Sequence, residues 1–132
     1  MPFVVADIPG LIVGAHLNKG LGHSFLRHIE RCHCLLYVLD ISQPDPQRSI
    51  LCLQEELELY RFGLSRRPAA IVANKIDLVA DDENLRQLEK TTHLPIISVS
   101  AKLCVGLLSL KRILKDLFEE SKTDAALSVT EL

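Results

Sequence analysis

Tryptophan is absent from this chain, and aromatic residues make up only 5% of its 132 residues. Hydrophobic residues nevertheless reach 48%, so the core is aliphatic, as helices packed on a parallel sheet require. The four cysteines, Cys32, Cys34, Cys52 and Cys104, contain no Cys-x-x-Cys pair. Three of them lie within apolar runs and read as reduced small hydrophobes in a reducing compartment rather than as a disulfide or metal framework. Apolar runs of membrane-spanning length are also lacking. Asp7 and Pro9 interrupt the N-terminal apolar stretch before it reaches the form of a signal peptide, and no Arg-rich, acid-poor presequence is seen. An excess of charge is missing too: the formal value of −2 argues against non-specific nucleic-acid binding by the whole surface. The local basic residues Arg27, Arg31, Arg66 and Arg67 read first as a solvated face and second as a contact for an acidic partner.

The length fits one domain that buries roughly two thirds of its unfolded surface. Phe3 to Asp7 reads as a short strand, and Ile8 to Gly22, with Pro9 and four glycines, as a loop. His23 to Cys32 has helical spacing, and Cys34 to Leu39 is an apolar strand ended by Asp40. Ser42 to Pro46 is a turn before an amphipathic helix through Tyr60, closed by Gly63. Ala69 to Ala73 is the next strand, and a helix from about Asp82 to Thr92 opens with acidic residues that suit its positive end. Pro95 to Val99 is a further strand, and Leu107 to Leu117 marks a last helix. The domain is expected over residues 1–120 and a frayed tail over 121–132. Alternating strands and helices predict an α/β fold with a mainly parallel sheet of about four strands and helices on both faces, ligands lying beyond the carboxyl ends of the strands.

Polar residues collect at those ends. The strand Ala70 to Ala73 runs into Asn74-Lys75-Ile76-Asp77, and the next ends in Ser100-Ala101-Lys102. Guanine presents N1–H and its exocyclic amine as adjacent donors, and the single carboxylate of Asp77 is suited to accept both. Asn74 is placed either to bond the base or to brace the neighbouring loop, and the aliphatic stem of Lys75 can cover the purine face. The Ala101 N–H is the candidate donor to the guanine O6, with Ser100 and Lys102 shaping the turn. Each motif alone is weak; two at consecutive strand ends form a strong pattern. The plainer reading is that Asn74 and Asp77 cap a loop. Upstream, Asp7-Ile8-Pro9-Gly10 fits a carboxylate that orders a Mg²⁺ water and a glycine N–H that reaches a γ-phosphate.

Against this, Gly-x-x-x-x-Gly-Lys-Ser/Thr, the loop that cradles phosphates, does not occur. Several charge-assisted hydrogen bonds go with it, roughly 5 to 10 kcal/mol before non-additivity. That is on the order of four to seven decades of affinity. Asp40 reads as a turn or cap residue rather than a phosphoacceptor, because no acidic pair stands beside it to hold a metal. His28 and Cys32 share a helix face, but no further ligands accompany them.

Asp7-Ile8-Pro9-Gly10-Leu11-Ile12, Gly14-Ala15-His16, Asn18-Lys19-Gly20-Leu21-Gly22 and Phe25-Leu26-Arg27-His28-Ile29-Glu30-Arg31 resemble the second switch and following helix of Obg-type GTPases. With Ala73-Asn74-Lys75-Ile76-Asp77-Leu78 the resemblance is to their mitochondrial ribosome-associated branch and spans about Val4 to Phe118. It implies the C-terminal part of a G domain of the TRAFAC type, a partial P-loop NTPase lacking its first strands and phosphate loop. It also implies GTP or GDP and Mg²⁺ as ligands, slow hydrolysis, and the large ribosomal subunit or its rRNA as partner in subunit assembly. The mitochondrion is the implied location, the cytoplasm otherwise, for a monomer without a membrane span. Leu11 stands where Ras-like enzymes place a water-orienting glutamine, and Val13 where bacterial members carry glutamate.

From these residues the expectation is a truncated form with weak or no hydrolysis, for which no catalytic residue is assigned. The alternatives are a non-catalytic interaction module that keeps the ribosome-facing surface and, more remotely, a receiver domain using Asp40 and Lys102. In such G domains a strand lies between Phe3 to Asp7 and Cys34 to Leu39. Without it, the two edges either pair directly or one stays exposed.

Overall fold

The computed structural model describes residues 32–130, with the side chains of Tyr60 and of 123–130 left aside. Within them a three-stranded parallel sheet is built from β1 (Leu35–Asp40), β2 (Ala69–Asn74) and β3 (Ile96–Ser98), in the order β1-β2-β3. Leu35 pairs with Ala69 and Asp40 with Asn74 at the two ends of the first ladder, and Ile71 pairs with Ile96 in the second. The expected strand Phe3 to Asp7, the loop Ile8 to Gly22 and the helix from His23 lie outside the described residues.

The burial of each strand follows from its place. In β1, Leu35, Tyr37 and Leu39 are buried and alternate with more exposed residues, the period-2 pattern of a strand with one well-covered face. In β2, Ala69 to Ala73 are all buried, as a central strand with helices on both faces must be.

Helix α1 (Pro46–Tyr60) starts on a proline, whose fixed φ suits the first turn. After it Gly63 turns the chain at φ 86°, and Glu58 folds back to accept the N–H groups of Gly63 and Ser65 at 2.9 and 3.1 Å. Helix α2 (Glu83–Thr91) begins where Asp81 Oδ1 accepts the Glu83 N–H at 3.1 Å. One sheet face carries Tyr37, Leu39, Ile71 and Ala73 against Ile50 and Leu57 of α1 and Leu88 of α2. The other carries Ala70, Val72, Ile97 and Val99 against Leu110, Ile113 and Leu117 of helix α3 (Leu107–Thr130). Helices therefore cover both faces, as expected, although Val38 on β1 is 61% exposed.

Helix α3 runs on to Thr130. Ser121 is itself buried, and its hydroxyl donates to the Phe118 carbonyl at 2.7 Å. No glycine or proline follows to stop the helix.

Candidate functional site

The polar residues meet at the carboxyl ends of the three strands. Lys75 follows β2 with φ 70° and ψ 34°, a left-handed turn that starts a short 3-10 segment over Ile76–Leu78 and carries Asp77. The Ile76 N–H donates to the Val99 carbonyl at 3.3 Å, which fixes this segment beside the end of β3.

Ser100 is the hub of the neighbouring loop and is 1% exposed. Its hydroxyl donates to Asp77 Oδ1 at 2.8 Å and accepts the Leu103 N–H at 3.2 Å. Its backbone exchanges two hydrogen bonds with Val105, at 3.0 and 3.1 Å, closing residues 100–105 into a tight loop. The loop closes only because residue 106 is glycine: φ is +80°, and a Cβ there would lie 2.4 Å from the Ser98 carbonyl oxygen. The sequence reading misses this residue, although a glycine immediately before an apolar helical run is the signal that marks it.

Asn74 resolves between its two expected roles toward bracing: its Oδ1 accepts the Ala101 N–H at 3.1 Å. The Ala101 N–H expected to address a guanine O6 is thus already engaged by Asn74 and would have to share or leave this bond to reach a base. Asp77 is exposed, and Ser100 occupies only its Oδ1. A carboxylate held at one oxygen and open to solvent fits a receptor for paired donors such as those of guanine. Lys102 is exposed on the same loop. The structure thus brings together Asn74, Lys75, Asp77, Ser100, Ala101 and Lys102. Asp7 and Gly10, assigned to the γ-phosphate side and to Mg²⁺, lie outside the described residues.

Asp40, at the end of β1, joins this group. Its Oδ1 accepts the Ser42 N–H at 3.0 Å and the Ser42 hydroxyl at 2.5 Å, and its Oδ2 meets Lys75 Nζ at 2.9 Å. The Ser42 bonds and the Lys75 ammonium hold its carboxyl below the usual aspartate range. The turn role expected for Asp40 is present; the ion pair is additional.

The other candidates lead away from chemistry. His28 lies outside the described residues; burial pushes the Cys32 thiol up, with Arg67 opposing the shift. Among the described residues no three His, Cys, Asp or Glu side chains gather to hold a metal. No disulfide joins the described cysteines, and no described helix is long and apolar enough to cross a membrane. Arg66 lies over the Phe62 ring at 5.2 Å, and Arg67 donates to the Cys32 carbonyl.

Comparison with known proteins gives the family. The chain is 55% identical over 101 residues to the human mitochondrial ribosome-associated GTPase 2, an alignment covering 76% of this chain and 25% of that protein. It is 47% identical over 119 residues to the GTPase Obg of Rippkaea orientalis, covering 88% and 36% respectively. It is 46% identical over 125 residues to the probable mitochondrial GTP-binding protein OBGM of Oryza sativa, covering 89% and 24%. The chain thus spans about a quarter to a third of the length of these relatives. A model of the 50S ribosome-binding GTPase family matches residues 1–75, more than half of the chain, and the chain belongs to that family.

Proposed function

We propose that residues 74–77 and 100–102 form a guanine-recognition site, and that the chain contributes this site to an Obg-type GTPase acting on the large ribosomal subunit in mitochondria. The observation that carries the base site is the joining of the two strand-tip motifs. Ser100 holds one oxygen of an exposed Asp77, and Asn74 holds the backbone of Ala101. A carboxylate so oriented pairs with the two adjacent donors of guanine and repels the acceptor edge of adenine, the discrimination that a hydrogen-bonding pocket achieves best.

Mg²⁺ belongs to the same proposal through Asp7, which would hold it by way of water when phosphates are bound. Ribosome contact and the mitochondrial setting rest on the names of the relatives, two of which are mitochondrial and one ribosome-associated.

The test uses nucleosides, which isolate the base from the phosphates. Nuclear magnetic resonance titration of the chain with guanosine should shift the amides of Asp77, Ala101 and Lys102 at millimolar concentration, and adenosine should not. Asp77→Asn should move preference toward xanthosine, whose O2 acceptor matches an amide donor. Equal shifts with guanosine and adenosine would remove the reading.

A further inference from the structure

Two residues of one motif are tied in opposite directions. Asp77 is bonded to Ser100 beyond β3. Lys75, two positions earlier, reaches the other way to Asp40 at the end of β1. Asn74, which precedes Lys75, lies directly across the ladder from Asp40. We propose, resting on the guanine-site reading, that Asp40 is the positioning residue for Lys75, holding the lysine stem across the β1 side of the opening as the apolar wall on which a guanine ring lies.

Lysine has four freely rotating side-chain bonds and about 2 kcal/mol of rotamer entropy, so its stem forms a wall only if the ammonium is anchored. Within the described residues Asp40 Oδ2 supplies that anchor at 2.9 Å, with the lysine side chain 49% and the aspartate 26% exposed. The anchor is itself stiff. The Ile41 N–H donates to the Asn74 carbonyl at 3.0 Å, and Ile41 is 2% exposed. Asp40 Oδ1 is occupied by Ser42, which leaves Oδ2 for the lysine. From α2, the Asn84 amide nitrogen donates to the carbonyls of Ile41 and Gln43 at 3.0 and 3.1 Å, clamping the turn that carries Ser42. A carboxylate held at Oδ1 by both Ser42 bonds, on a turn clamped by Asn84, can hold the lysine that leaves the end of β2 at the left-handed residue 75. Asp40 touches no base in this arrangement and acts only through Lys75.

A double-mutant cycle on the whole chain tests this, with guanosine as probe. Asp40→Asn keeps an acceptor for Ser42 and removes the charge that holds Lys75. It should weaken guanosine binding about threefold to fivefold, the ceiling for a partly exposed pair, and abolish the nuclear Overhauser contact between the Lys75 methylenes and guanosine H8. Lys75→Met keeps an apolar stem with no ammonium, so in that background Asp40→Asn should leave affinity unchanged. Guanosine carries no charge, so molar sodium chloride should weaken its binding to the wild-type chain but not to Lys75→Met. This arm holds even if Asp40→Asn unfolds. Equal weakening by Asp40→Asn in both backgrounds, or equal salt response in both, would overturn the inference while leaving the guanine site standing. No preference for guanosine over adenosine in the wild-type chain would overturn both.

Discussion

The Oδ1 of Asn74 accepts the backbone N–H of Ala101 at 3.1 Å, so the end of β2 holds the loop that follows β3. Asn74→Ala releases that N–H on an exposed residue, where water replaces the lost partner. The expected cost is about 1 kcal/mol in urea unfolding. Hydrogen exchange gives the sharper readout: the Ala101 amide should exchange faster, and the Val105 amide, bonded to Ser100, should not. Unchanged exchange at Ala101 would show that the brace does not hold in solution.

Gly106 and Gly63 offer a controlled comparison, since both have positive φ, +80° and +86°, and only one is crowded. An alanine at 63 meets nothing within 4 Å, so Gly63→Ala carries only the left-handed backbone cost, about 1 to 2 kcal/mol. Gly106→Ala adds a Cβ 2.4 Å from the Ser98 carbonyl oxygen, a clash with backbone that no rotamer relieves. It should cost about 1 to 3 kcal/mol more and displace the Ser100 and Ala101 amides in the spectrum. Equal destabilisation by the two substitutions would show that the loop yields.

The three described strands and three helices were legible from apolar period and from punctuation: Pro46, Gly63 and Pro95 stand at or beside element boundaries. The pairing of Asp77 with Ser100 was legible in part, because a parallel sheet brings consecutive strand ends together. The choice that Asn74 makes between base and loop was not, since it turns on how two loops approach each other in space. The ion pair of Asp40 with Lys75 also escaped the sequence. Its partners are 35 positions apart, and only the ladder that sets Asp40 opposite Asn74 makes them neighbours.

Acid should weaken this fold through two carboxylates. The Ser42 bonds, then Lys75, lower the pKa of Asp40; the Ser65 hydroxyl and then the Gly63 N–H lower that of Glu58. A folded-state pKa below the unfolded value gives stability that is fully present above the unfolded pKa and is lost as pH falls through the folded one. Unfolding free energy should therefore be level near neutrality and fall below about pH 4, the unfolded carboxylate range. Asp40→Asn should flatten part of that fall. A variant with the same acid slope as the wild-type chain would show that Asp40 contributes none of it.

In the proposed site Asp77, Ser100 and Ala101 would address a base, and Asp7 with Gly10 would offer groups for the γ-phosphate side alone. The 132 residues hold no Gly-x-x-x-x-Gly-Lys-Ser/Thr loop, so the α- and β-phosphates would lack the amide cradle and the lysine of that loop to offset their desolvation. Base contacts must then stand alone against the cost of stripping water from a triphosphate, a deficit of roughly 5 to 10 kcal/mol. Titration calorimetry of the chain with GTP and Mg²⁺ should accordingly show no low-micromolar binding, and phosphate release should stay at the background rate. Joining an upstream strand and phosphate loop to the chain should restore Mg²⁺-dependent binding, and Asp77→Ala should then abolish its guanine preference. Tight binding or steady hydrolysis by the 132-residue chain would mean that its own groups neutralise the phosphates, and would return Asp7 and Gly10 to the centre of the site.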